Sequence, residues 1–283
     1  MKDLILDGCV LKQYTGDAMR LDLSCMREMD AVTEIAPYAF REHRELKEVI
    51  LPEHLKNIGH NAFYNCRMLE SVTMGPEVES AGDGAFRNCQ ALHRILVYYG
   101  SRTSLTLRGI RDILKSLDGA FLLDLGGNGL FIPEYLYEYE ENNEARIINQ
   151  ITHGAGVTYR ECIGTDGVDY GMYDRIFHDM AFVMQETEGI QIAWYRLLYP
   201  AQLGAEAAER YRSYLKERRK TILRELMKRQ DADRLREWLS FGIYGSTEDV
   251  DEALDEAYPI GFAEGVRELL LFRRQYETEE MIL

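Results

Sequence analysis

The residues of this chain best equipped for chemistry lie between 153 and 179, within THGAGVTYRECIGTDGVDYGMYDRIFHD. His153-Gly154-Ala155-Gly156 has the small residues of an oxyanion-binding loop, and Cys162 nearby is a candidate nucleophile. Asp166, Asp169, Asp174, His178 and Asp179 carry metal-ligating atoms, with Asp174 and His178 one helical turn apart. An enzyme built here, a hydrolase or a metal-dependent one, would bring His153, Arg160 and the aspartates together in a deep pocket. Three signatures such an enzyme would carry are absent: the GxSxG elbow, the HExxH helix, and a calcium loop of spaced aspartates ending in Glu. Packing accounts for the same stretch. Ile176, Phe177, Met180, Val183 and Met184 make the apolar stripe of a helix over about 171–187, which turns Asp174 and His178 to its polar side. No catalytic, cofactor-binding or metal-binding residue is assigned from this pattern.

Gly126-Gly127-Asn128-Gly129 lacks both the Gly-Lys-Ser/Thr ending of a phosphate loop and the GxGxxG spacing. It reads as a hairpin turn between two short apolar strands, Phe121 to Leu125 and Gly129 to Ile132. Tyr135, Tyr137 and Tyr139 alternate among acids, which puts their rings on one side of a strand. A helix over 103–117, with Leu107, Ile110, Ile113, Leu114 and Leu117 at helical spacing, precedes the hairpin and ends at Gly119.

The elements that must position these residues belong to an acidic chain of 283 residues, with 33 Lys and Arg against 48 Asp and Glu and a formal charge of −15. Such a surface repels phosphate backbones and anionic headgroups, so nucleic acid and membrane are excluded as expected partners. No apolar run approaches the roughly 20 residues of a bilayer span, and Met-Lys-Asp-Leu-Ile-Leu-Asp lacks a secretory core. The five cysteines, Cys9, Cys25, Cys66, Cys89 and Cys162, include no CxxC pair. An odd, scattered set of this kind suits free thiols in a cytoplasmic protein rather than a disulfide framework or zinc knuckle.

The strongest pattern is an internal repeat. EIAPYAFREHRELKEVIL, NIGHNAFYNCRMLESVTM and SAGDGAFRNCQALHRILV align so that Phe40, Phe63 and Phe86 fall 23 residues apart. Ala39, Ala62 and Ala85 keep the same spacing, as do Leu46, Leu69 and Leu92, and Val49, Val72 and Ile95. Leu-x-x-Val-x-Leu places residues two apart on one face of a short strand, so each coil presents an apolar edge to the core. The phenylalanines should stack from coil to coil at about 4.8 Å. Pro52, Pro76 and glycines 59, 75, 82 and 84 mark the bends. Cys66 and Cys89 share a column and read as small buried packing residues.

The pattern I-G-x-x-A-F-x-x-C-x-x-L-x-x-V resembles the BspA-type (Treponema-type) leucine-rich repeats of bacteria, over about residues 3–98. LILDGCVLKQYTGDAMRLDL resembles that family's opening hairpin and first coil. His43 stands in the column of Cys66 and Cys89, and Ala81 in that of Ile35 and Ile58, so the outer coils depart from the pattern as capping coils do. The resemblance implies a solenoid that binds partners across its strand face. On that face the outward columns are Lys47/Glu70/His93, Glu48/Ser71/Arg94 and Ile50/Thr73/Leu96, the expected partner-binding residues.

Almost everything beyond 171 reads as helix. IAWYRLLYP ends at Pro200, and LGAEAAERYRSYLKERRKTILRELMKR carries apolar residues at 207, 211, 214, 215, 222, 223 and 226. Asp231 caps ADRLREWLSFG, which Gly242 ends, and Ser246 with Asp249 opens EDVDEALDEAY. FAEGVRELLLFRRQYE follows the break at Pro259 and Gly261. Leu235, Trp238 and Leu239 match Val266, Leu269 and Leu270, and this order resembles ankyrin-type helix pairs over about 220–276, without the Thr-Pro-Leu-His signature.

The expected fold is therefore α+β: a leucine-rich-repeat solenoid of 23-residue coils over 1–100, a mixed connecting segment over 101–170, and a stacked-helix domain over 171–283. The expected function is a non-catalytic, cytoplasmic protein-interaction module without cofactor, with Trp194, Tyr195, Trp238 and the Tyr135–Tyr139 stretch as candidate anchors, although both tryptophans lie on apolar helix faces, where a core role is the commoner one. Two alternatives stand beside it: an enzyme centred on 153–179, and a surface adhesin or carbohydrate binder, since relatives can be surface-exposed.

Overall fold

The computed structural model describes residues 3–98, 106–142, 147–181 and 184–280, with only the backbone described for residues 137, 139–142, 147–151 and 276–280. The chain divides into two compact units, Met1–Glu188 and Gly189–Leu283.

The first unit opens with an antiparallel hairpin, β1 (Leu4–Asp7) and β2 (Val10–Tyr14), turned at Gly8 with φ +58°. The chain then winds between two sheets. One is built from the hairpin and three two-residue strands, and the other from longer strands that carry the Leu-x-x-Val-x-Leu pattern. In chain order these are β3 (Arg20–Asp22), a 3-10 turn at Arg27–Met29, β4 (Glu34–Ile35), β5 (Glu48–Ile50), β6 (Asn57–Ile58), β7 (Ser71–Met74), β8 (Ser80–Ala81) and β9 (Arg94–Val97). The first sheet runs β1-β2-β4-β6-β8. Within the second, β3, β5, β7 and β9 pair in parallel, with Leu21, Val49, Val72 and Ile95 in one inward row.

The repeat columns behave as their spacing predicts. Phe40, Phe63 and Phe86 are buried and stack with ring centroids 4.6 and 4.8 Å apart, nearly coplanar at 7° and 5°. The turns around them bond coil to coil, as in Phe40 N–H to Ala62 O and Phe63 N–H to Ala85 O, both 2.8 Å. Two columns take left-handed backbone: Tyr38, Asn61 and Gly84, and Glu42, Asn65 and Asn88. Asn and Gly tolerate this conformation best, which explains their recurrence there. The glycine of the I-G motif has a different cause. A Cβ on Gly59 would lie 2.4 Å from Pro37 N and 2.6 Å from Ala36 C, so the preceding coil's backbone fills the space a side chain needs. Cys66 and Cys89 are buried free thiols, donating to Phe40 O at 2.9 Å and Phe63 O at 3.2 Å.

After the last coil, α1 (Arg108–Leu114) packs beside β8, with Gly109 drawn against Val78. It is shorter than the helix expected over 103–117, of which residues 103–105 lie outside the described residues. β10 (Phe121–Leu125) and β11 (Gly129–Ile132) form the expected hairpin. They also extend the solenoid, because β10 pairs in parallel with β9, giving a six-stranded sheet ordered β11-β10-β9-β7-β5-β3. The 23-residue count hides this continuation, since Leu123 stands 28 residues after its partner Ile95. β12 (Leu136–Asn142) and β13 (Ile147–His153) make a separate antiparallel ribbon, followed by α2 (Gly156–Glu161) and α3 (Tyr170–Met180). α3 ends seven residues short of the expected helix, and α4 (Glu186–Leu198) begins anew.

In the second unit come α5 (Ala205–Glu217), α6 (Arg219–Arg229), α7 (Ala232–Ser240), α8 (Thr247–Ala257), a 3-10 turn at Tyr258–Ile260, and α9 (Ala263–Glu280). The stretch expected as one helix breaks at Arg218, with φ −105° and ψ 8°, so α5 and α6 are distinct. The sequence caps hold: Asp231 accepts from Arg234 N–H at 3.0 Å, and Ser246 Oγ from Asp249 N–H at 3.3 Å. Asp249 in turn accepts from Gly245 N–H at 3.0 Å, one residue before the usual capping-box partner. α6 packs on α7 and α8, and α9 on both α7 and α8. Arg219, Lys220 and Arg224 bridge α6 to Glu252 and Glu256 of α8. No helix among the described residues is long and apolar enough to cross a membrane.

Candidate interaction surface

The strand face is a direct consequence of parallel pairing. Strands in register place equivalent side chains side by side, so a column in the sequence becomes a row on the surface. Glu48, Ser71 and Arg94 form one row, continued by Arg20 on β3 and Leu122 on β10. Ile50, Thr73 and Leu96 form the next, between Asp22 and Asp124. Lys47, Glu70 and His93 immediately precede the strands. All nine residues singled out from the sequence thus lie on one continuous surface. Ile50, Thr73 and Leu96 are half-buried, and His93 and Arg94 are exposed.

Charge on this face is matched across strands. Arg20 Nε lies 2.7 Å from Glu48 Oε2, Lys47 Nζ 3.2 Å from Glu70 Oε1, and Arg94 Nη2 3.4 Å from Asp124 Oδ2. Three cations thus meet three anions, so the face carries none of the chain's acidic excess through these groups. Exposed pairs of this kind are worth only about 0–1 kcal/mol each, so they set local charge more than stability. Asp124, Arg20 and Leu122 belong to the same surface and were missed by the repeat count, because β3 and β10 lie outside the 23-residue register.

The residues from 153 to 179 do not converge. His153 Nε2 pairs with Glu138 at 2.9 Å on the exposed ribbon. Cys162 is buried, and desolvation, with the nearby charges of Asp169, Glu161 and Asp174, pushes its thiol up to about 12, far from an activated nucleophile. Asp169 caps α3 by accepting from Met172 N–H at 2.7 Å, and Asp166 accepts from Thr165 Oγ1 at 3.0 Å. Asp174 is buried rather than on the polar side as expected, because α3 turns that face inward beside Tyr173 and Phe177, while His178 is exposed. Arg160 is buried and donates to four carbonyls, of Leu117, Gly119, Pro133 and Gly156, at 2.7–3.0 Å. Gly156 packs against Pro133 O and Glu134 O, where a Cβ would come within 2.4–2.5 Å. No group of three or more His, Cys, Asp or Glu among the described residues could hold a metal ion.

The BspA type leucine rich repeat region matches this chain in six copies over residues 23–105. Those residues are a BspA-type leucine-rich-repeat region. No curated protein matches the chain. Among solved structures, a leucine-rich-repeat protein of T. pallidum is similar at 27% identity and TM-score 0.29, over 31% of this chain and 41% of its own. A leucine-rich cell surface protein of Faecalibacterium prausnitzii is similar at 28% identity and TM-score 0.28, over 34% of this chain and 30% of its own. The chain thus spans less than half the length of either relative. Leucine-rich repeats of this type generally mediate protein interactions.

At the start of the BspA-type region the departures have structural causes. His43, in the cysteine column, lies against Tyr14 with ring centroids 4.9 Å apart and planes tilted by 31°, where the opening hairpin supplies an aromatic lid instead of another coil. Ala36 stands where the later coils have the motif glycine, and the strand beside β4 on that side is the hairpin strand β2 rather than another coil. The aromatic anchors expected from sequence fare differently. Trp194 and Trp238 are buried and stacked at 5.8 Å, so they are core residues of the helical unit, not surface anchors. Tyr135 precedes β12 and is buried, and the side chains of Tyr137 and Tyr139 lie outside the described residues.

Proposed function

We propose that the chain is a non-catalytic protein-interaction module whose partner docks on the six-stranded face of the solenoid. The observation that carries this reading is the row Ile50, Thr73 and Leu96, left half-exposed, with Arg20, Lys47 and Arg94 paired to Glu48, Glu70 and Asp124 around it. A partner can bury Thr73 and Leu96 without leaving an unpaired charge beneath them. Lys47, Glu48, Glu70, Ser71, His93 and Arg94 then form the polar rim. The helical unit, with its like-on-like stacking of α6 on α8 and α7 on α9, is read as an ankyrin-like pair of helix hairpins that offers a second surface. Five free cysteines suit action in a reducing cytoplasm.

The test is affinity capture from the native cell lysate with the intact chain and with the double variant Thr73→Arg, Leu96→Asp. A protein recovered with the first and lost with the second, at unchanged thermal stability, supports docking on this face. A partner retained by both places the interaction elsewhere.

A further inference from the structure

α9 engages the rest of the helical unit with its inner face and both flanks. Leu269 is buried, and Phe272 meets Tyr244 edge-on with ring centroids 6.4 Å apart. On one flank Glu264 and Glu268 reach Arg236 of α7, at 3.1 and 3.4 Å. On the other, Arg273 Nε lies 2.6 Å from Asp251 of α8. The outer residues Arg267, Leu270, Leu271 and Arg274 are spaced i, i+3, i+4 and i+7, which puts them on one stripe of the helix. Leu270 and Leu271 are each 41% exposed, and both arginines are exposed. Among the described residues, the large exposed apolar side chains of the helical unit are Tyr258, Leu270 and Leu271, and all three belong to the last hairpin.

We infer that this stripe docks an amphipathic helix of a partner protein, with apolar residues seated on Leu270 and Leu271 and an acidic side chain against Arg267. A helix is the occupant because each hairpin of the unit covers its neighbour with helices, α6 on α8 and α7 on α9, and α9 is the last of the series. The acidic flank follows from charge. The stripe contains no acid, and Arg267 has no charged partner among the described residues, since the nearby Glu264 and Glu268 are held by Arg236. A carboxylate brought to Arg267 forms a charge-assisted pair that these residues leave unmade. The same charges turn away a second copy of the chain. Antiparallel pairing of α9 with itself about Leu270 and Leu271 sets Arg267 of one copy against Arg274 of the other, and parallel pairing sets each arginine beside its equivalent. The inference rests on the helical unit offering a second surface and shares no residue with the strand face.

The test uses the full chain, its leucine methyl groups labelled for NMR, and synthetic peptides of about 15 residues, long enough to form a helix. One peptide carries leucines at i, i+3, i+4 and i+7 with glutamates beside them, one has lysine for every glutamate, and one has alanine for every leucine. At about 0.15 M salt, where distant charges are screened, the glutamate peptide should bind and shift the methyl signals of Leu270 and Leu271. The lysine and alanine peptides should bind about fivefold more weakly or worse, in spite of the chain's net charge of −15. Arg267→Glu should reverse the preference between glutamate and lysine peptides, and Leu270→Asp with Leu271→Asp should abolish binding of both. The substituted side chains are exposed, and unchanged melting of the variants checks the fold. Thr73→Arg with Leu96→Asp should change none of these affinities, which separates failure of this surface from failure of the strand face. No methyl shift at Leu270 and Leu271, or equal binding of glutamate and lysine peptides, would overturn the proposal. So would self-association of the free chain that Leu270→Asp abolishes, which would assign the stripe to a second copy.

Discussion

Arg94, on the last coil of the repeat array, is held by Asp124, on a hairpin that the repeat does not contain. Asp124 Oδ2 lies 3.4 Å from Arg94 Nη2, while Oδ1 accepts from Gly127 N–H at 2.8 Å. One largely buried carboxylate therefore fixes both the turn of the β10–β11 hairpin and the end of the strand face. The two partners should respond unequally to removal. Asp124→Ala leaves the Gly127 donor and the turn without an acceptor and should cost about 1–3 kcal/mol. Arg94→Ala removes a half-exposed group and should cost no more than about 1 kcal/mol. Urea unfolding of the two variants reads the difference, and equal costs would show that Asp124 does not organise the turn.

The inward and outward assignments of the coil are tested by a second pair. Phe63 is stacked between Phe40 and Phe86 and fully buried, so Phe63→Ala should cost about 3–5 kcal/mol. Thr73 stands on the outer row, and Thr73→Ala should stay within about 0.5 kcal/mol. Chemical denaturation midpoints of similar size for the two would contradict the assignment.

The motif glycine gives a sharper expectation, because its cause is a neighbouring backbone rather than a flexible side chain. Gly59→Ala should destabilise by about 1–3 kcal/mol or more, since the coil below cannot yield without losing its own hydrogen bonds. Ala36→Gly, the converse change in the first coil, should cost only about 1 kcal/mol, the extra conformational freedom glycine loses on folding. Thermal melts of both variants decide the point.

The five thiols should divide by burial. Cys9 and Cys25 are exposed and should react rapidly with a maleimide at pH 8, whereas Cys66, Cys89 and Cys162 should react only after unfolding. Burial pushes the thiols of Cys66 and Cys162 up to about 12, raises that of Cys89, and pushes the Tyr244 hydroxyl up to about 12. Each group stays neutral in the folded chain at a pH where the unfolded chain ionises it. The folded state's advantage is therefore complete below the ordinary value, 9.0 for the thiols, and is lost as pH rises toward about 12. Urea midpoints should fall steadily above pH 9, and a flat profile from pH 9 to 11 would refute the neutral buried thiols.

Much of the solenoid was legible because its tertiary contacts recur. Phe40 touches Phe63, and Phe63 touches Phe86, at a constant separation of 23 residues, so the three-dimensional stack is also a sequence period. The nine strand-face residues could be grouped for the same reason. Helix ends were legible where a side chain closes a local ring, as Asp231 does with Arg234 N–H. The candidate site was only partly legible, since Arg20, Leu122 and Asp124 enter it through pairings that keep no fixed spacing.

Where contacts do not recur, residue type alone left the role open. Trp194 and Trp238 have the size and chemistry of surface anchors, yet each finds the other across 44 residues of chain and is buried by it. Asp174 sits among apolar helix neighbours, and only packing against the rest of the unit turns it inward. The sequence by itself determined the coil, its inward face and its caps, because those rest on interactions between equivalent or nearby positions. Only the tertiary structure decided which charges meet, which aromatics are core, and where the strand face ends, because these depend on contacts between distant positions that never repeat.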